Sequence, residues 1–161
     1  MVVAGAGGLA EPLTSERIEI MGLDMYLSAK RYLWSKEREG VKVEGIPMPF
    51  ELKELKCEAA YWRKANQIHK WFVDNVQDGE DECNPYFVSV ENLQQLLNVC
   101  KTVKEDPSKI PELLPPSEGF FFGSQKIDEH YFEDIDHTIA SLTRILSLDL
   151  DGWEFEYRSS W

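Results

Sequence analysis

Lysine and arginine are scarce in this chain: 17 stand against 29 aspartates and glutamates, a net charge of -12 over 161 residues. Affinity for nucleic-acid phosphates comes mainly from Lys and Arg displacing counterions, so this balance argues against direct nucleic-acid binding. Cysteine is scarcer still. Cys57, Cys83 and Cys100 are odd in number and form neither a C-x-x-C pair nor a dense framework, which excludes a disulfide scaffold and fits reduced thiols in a cytosol. Long apolar runs are missing too, with nothing near the ~18 consecutive residues that would read as a membrane span. No motif names a reaction, and none calls for a cofactor.

What is present is enough for one globular domain with a real core, since 43% of residues are apolar and 12% aromatic. The stretch "MVVAGAGGLAEPLTSERIEI" has no basic leader and its apolar run is broken by Gly and Pro, so it does not read as a targeting segment. Residues 1–20 are expected to form a flexible extension. Met21, which opens the strand-like "MGLDMYL", reads as the native initiator: Glu16 and Arg17 can be encoded by a purine-rich, ribosome-site-like hexamer just upstream. Residues 21–161 then make the domain.

Leu23, Met25 and Leu27 alternate with Asp24, Tyr26 and Ser28, the period of a half-buried strand over residues 22–33. From Ala59 the period changes, and Tyr61, Ala65, Ile68 and Phe72 make one helical stripe over residues 59–75. Ser89 caps a second helix with Leu93, Leu96, Leu97, Cys100 and Val103 inward, ended by Pro107. Asp128 caps a third, with Phe132, Ile135, Ile139, Leu142 and Leu146 as its buried side. Trp153, Phe155 and Tyr157 form a closing amphipathic strand. These elements predict an α+β fold: a small antiparallel sheet of about three strands, its terminal strands paired, covered by three main helices. The minor strand is expected at 41–44 or 86–88.

Chemically rich residues concentrate in "AAYWRKANQIHKWFV", residues 59–73. A helical step puts Trp62, Asn66 and His69 on one flank of the stripe, at the edge of the core, where an imidazole serves either as a general base or as a boundary group bonded to a strand. Arg63 could hold an anion there, and Asp24 and Tyr26 on the first strand's polar face could complete a pocket. His130, Asp134 and His137 are spaced to stack on one helical face, but that face points about 135° from the buried stripe, so it is read as solvated and no metal is assigned. "DGEDE" at 78–82 lacks the order of a calcium loop. In "GFFFGS" the rings of Phe120, Phe121 and Phe122 either strap the core or form an exposed patch for a partner.

"MGLDMYL", "YWRKANQIHKWFV" and "LLPPSEGFFFGS" followed by "DEHYFED" together resemble a family of small proteins encoded by bacteriophages and prophages, over roughly residues 21–161. The resemblance implies action in the cytoplasm of a bacterial host. It carries no established activity and no catalytic residue. The expectation is therefore a non-enzymatic accessory protein that binds a protein partner through acidic and aromatic surface. Residues 21–73 carry a charge of +3 and residues 74–161 a charge of -13, which suits a basic partner. A homodimer is an equal use of exposed rings. The competing expectation is a small enzyme or ligand-binding module with its pocket between helix 59–75 and the sheet.

Overall fold

The computed structural model describes residues 22–161 apart from 40, 42, 48, 120 and 121. Its centre is β1 (Asp24–Tyr32). Met25 and Leu27 turn inward and are fully buried, while Asp24, Tyr26, Ser28 and Lys30 face the other side. Both edges of β1 are paired. On one side lies β2 (Glu54–Arg63), reached through a connection that contains the short helix α1 (Ser35–Arg38). On the other lies β4 (Trp153–Ser160), and β3 (Tyr86–Val88) pairs with the outer side of β4. The four-stranded antiparallel sheet runs β2-β1-β4-β3. The expected α+β architecture and the pairing of the terminal strands are as found, with one strand more than anticipated.

The helices are α2 (Asn66–Val76), α3 (Val90–Glu105), α4 (Ile110–Leu113) and α5 (Glu129–Leu146). Ser89 Oγ accepts from Asn92 N at 3.0 Å while Asn92 Oδ1 accepts from Ser89 N at 3.2 Å, a reciprocal cap that fixes the start of α3. Asp128 caps α5 in the expected way. The three long helices cover one face of the sheet, so the core is a single layer between them and the inward residues of β1, β2 and β4. Cys100 sits in it, and burial alone pushes its thiol up to about 12, which makes it inert at neutral pH.

Two assignments are corrected. Residues 59–63 are the end of β2, and α2 begins only at Asn66. Ala60 and Trp62 point into the core while Tyr61 and Arg63 point out, a period of two that satisfies the free edge of β1. The helical spacing of Tyr61 with Ala65, Ile68 and Phe72 is a coincidence of two elements joined without Gly or Pro. The buried side of α5 is also rotated: Tyr131, Ile135, Thr138, Leu142 and Ile145 are inward, and Phe132, Ile139 and Leu146 are only half-buried against the core. Polar partners set this rotation, because Thr138 Oγ1 accepts from Trp62 Nε1 at 2.9 Å and Tyr131 Oη donates to the Leu114 carbonyl at 2.8 Å.

Phe72 of α2 is fully buried and stacks on Tyr157 of β4 with centroids 3.9 Å apart. Phe72→Ala is therefore expected to destabilise the fold by about 3–5 kcal/mol. Phe87→Ala, at an outward ring 67% exposed, is expected to stay within about 0.5 kcal/mol. Urea unfolding of both variants checks the contrast.

Candidate functional site

The chain leaves β2 through Lys64, whose φ of 58° lies in the left-handed region that non-glycine residues seldom adopt. The surroundings over-determine it. Lys64 N donates to the Leu23 carbonyl at 2.7 Å, and the Lys64 carbonyl accepts from Asn66 N at 2.9 Å. Gly123, with φ 88°, packs so closely that a Cβ there would lie 3.2 Å from the Lys64 carbonyl oxygen. This sharp turn starts α2 with Asn66 in its first position, side chain aimed away from the helix axis at the segment 117–124. The Asn66 amide donates to the carbonyls of Phe122 (3.1 Å) and Ser124 (2.9 Å), and its oxygen accepts from Ser117 N (2.8 Å). Three of its four hydrogen-bonding positions are used in one clamp.

His69 follows one turn later and is 1% exposed. Its Nε2 lies 3.1 Å from Asp81 Oδ1 and its Nδ1 2.8 Å from Tyr157 Oη. A carboxylate can only accept, so Nε2 carries the proton and Nδ1 accepts from the Tyr157 hydroxyl. Burial pushes the imidazole below its ordinary value of 6.5, and Asp81 opposes that only in part. The ring meets Phe122 edge-on at 5.0 Å, and Phe122 in turn approaches Trp161, whose Nε1 donates to the same Asp81 oxygen at 3.3 Å. A base, a hydroxyl and a carboxylate thus stand in line, yet the hydroxyl belongs to a tyrosine that is fully buried. The arrangement is a latch between α2, β4 and the acidic turn.

The other predicted residues fall elsewhere. Trp62 is buried under α5 through its bond to Thr138. Asp24 and Tyr26 lie on the open face of the sheet, where the Tyr61 hydroxyl donates to Asp24 and the Tyr26 and Tyr61 rings meet at 5.4 Å. Arg63 is opposite Asp24 in register. It joins Asn66 at the rim of a shallow cleft of about 290 Å³. Lys64 and Lys126 also line that cleft, but so do Asp128, Glu133 and Asp134, so it has no net cationic field for an anion. The structure thus does not bring Asp24, Asn66 and His69 to one pocket. Phe122 lies against the core at 9% exposure, and Phe120 and Phe121 are outside the described residues.

The row on α5 disperses. His130 bonds Glu133 at 3.0 Å, His137 Nε2 donates to the Tyr61 carbonyl at 2.9 Å, and Asp134 accepts from Gln67 Nε2 at 3.1 Å. Among the described residues no group of three or more His, Cys, Asp or Glu is placed to hold a metal ion. Sequence reading missed Asp81 and Tyr157. A signal existed for Tyr157, because a tyrosine on the inward face of a strand needs a partner for its hydroxyl. Nothing in the order of "DGEDE" singles out Asp81.

No helix among the described residues is long and apolar enough to cross a membrane. No protein-family model matches the chain, and neither a curated protein nor a solved structure shows significant similarity to it.

Two outcomes follow from the clamp and the latch. Asn66→Ala should lower stability by about 2–4 kcal/mol, from three lost bonds and the backbone groups they leave unpaired. Limited proteolysis should then cut faster within residues 115–125. Because folded His69 binds protons less well than the unfolded chain, stability should decline as pH falls below about 6.5 and level off under the folded pKa. His69→Gln should flatten that decline while lowering stability at neutral pH, as read by denaturation across a pH series. His130 remains in the variant; its bond to Glu133 raises its pKa and works in the opposite direction.

Proposed function

We propose that this chain is a phage-type accessory protein that acts without catalysis, by binding a protein partner in the cytoplasm of a bacterial host. The observation that carries the reading is the placement of exposed apolar surface. Six of the twelve large apolar side chains exposed among the described residues, Tyr32, Trp34, Val41, Val43, Ile46 and Phe50, lie in or beside the connection between β1 and β2. Trp34 is 71% and Phe50 68% exposed. Aromatic side chains of this kind supply most of the binding energy where proteins meet. The imidazole, amide and indole that hinted at chemistry are instead used inside the fold. The carboxylate excess of residues 74–161 adds a long-range field that favours a basic partner.

The competing reading, a pocket between α2 and the sheet, needs room where Ile68 and Phe72 are fully buried. The two readings separate by affinity capture from a bacterial lysate. A specific partner should be retained by the wild-type chain and weakened roughly tenfold or more by Trp34→Ala with Phe50→Ala. Equal capture by both chains, or a small metabolite bound tightly by the purified protein with no macromolecular partner, would overturn the proposal.

A further inference from the structure

The two edges of the sheet differ. On the β3 side the edge strand is three residues long, and on the β2 side it is ten. At the far end of β2 the edge is guarded, since His137 bonds the Tyr61 carbonyl and Trp62 is tied to α5. An extra residue at Ala59, between the pairs Leu27↔Ala60 and Ser28↔Glu58, then breaks the ladder. Beyond it, among the described residues, nothing pairs with the outer side of residues 54–58. An unpaired edge of this length is a template for another strand.

The side chains there select which strand. Lys56 and Glu58 flank Cys57 and lie on the open face of the sheet, opposite Lys30 and Ser28. Glu156 is shared by Lys30 and Lys56, the latter at 3.2 Å. The Glu58 carboxylate has no ion-pair or hydrogen-bond partner among the described residues. On the covered side of the same edge, Cys57, Ala59, Leu148 and Leu150 border an apolar groove of about 550 Å³, and Leu148 is 61% exposed.

We infer that β2 pairs antiparallel with β2 of a second copy of this chain, about a twofold axis at Cys57. In that register each Lys56 meets the partner's Glu58, giving two opposite-charge pairs, and each Leu55 meets the partner's Ala59. An axis at Lys56 would set Lys56 against Lys56 and Glu54 against Glu58, and an axis at Glu58 would set Glu58 against itself. Like charges directly opposite are destabilising, which rules out those two; an axis at Leu55 would also set Glu54 against Lys56, but it would keep only residues 54–56 of the strand in the ladder. The result is a continuous eight-stranded sheet with isologous contacts. This interface adjoins the partner surface on the β1–β2 connection at Glu54, which lies opposite Tyr32.

Sedimentation velocity on the full chain tests the pairing. The wild type should dimerise, Glu58→Lys should weaken the dimer roughly tenfold or more, and Lys56→Glu with Glu58→Lys should restore it, because the swap rebuilds both pairs. A short bis-maleimide should link two copies of the wild type and of Cys83→Ser but not of Cys57→Ser. A monomer at every concentration, a dimer indifferent to Glu58→Lys, a double swap that fails to restore it, or linkage through Cys83 would overturn the inference.

Discussion

The hydroxyl of Tyr157 is buried between β4 and α2, and a buried hydroxyl without a partner destabilises a fold by about 1–3 kcal/mol. His69 is the group that meets it, which fixes the rotation of α2 about its axis. The second nitrogen of the same ring then needs an acceptor, and Asp81 supplies one, drawing the acidic turn against the end of β4. Asp81 also takes the indole N–H of Trp161. Above the hydroxyl, the Tyr157 ring stacks on Phe72 and lies in register with Leu27 of β1 and Tyr86 of β3. Sheet, helix and turn thus converge on one side chain, and the Asn66 clamp three residues before His69 extends the same hold to the segment 117–124.

Elements with one uninterrupted period were readable from sequence. β1 and β4 alternate cleanly, and the caps at Ser89 and Asp128 mark α3 and α5 where they begin. The junction of β2 and α2 was not readable, for a physical reason: the switch from period two to period 3.6 happens at Lys64, a residue type that gives no signal for a left-handed conformation. The αL turn is enforced by Leu23 and Gly123, which are distant in sequence. The site behaved in the same way. Asn66 and His69 stand out by residue type, but their partners Ser117, Phe122, Ser124 and Tyr157 are brought by topology, which no local pattern encodes.

The proposed function rests on the outside of the molecule. The open face of the sheet is mostly paired within itself, through Lys30 and Lys56 on Glu156 and Tyr61 on Asp24. Surface pairs of this kind contribute little stability. They do keep an uncovered sheet face wet and discourage indiscriminate stacking on it. The β1–β2 connection differs, since its rings and aliphatic side chains stand exposed beside two ion pairs among the described residues, Arg31–Glu37 and Arg38–Glu51. Exposed apolar surface gathered in one connection, rather than scattered, is what the proposed partner surface rests on.

A net charge of -12 opposes self-association, because two copies repel over about a Debye length, ~10 Å at 0.1 M salt. The distribution of that charge decides how much of the repulsion is felt. β1 and β2 belong to the part of the chain that carries +3, and the excess of carboxylates lies in the helical layer and the turn at 78–82. That turn leads into β3, which is the opposite edge of the sheet from β2. Pairing through β2 puts the two acidic turns at the far margins. Pairing through β3 would do the reverse, with a shorter ladder. Length of edge, charge register and long-range field consequently favour the same edge.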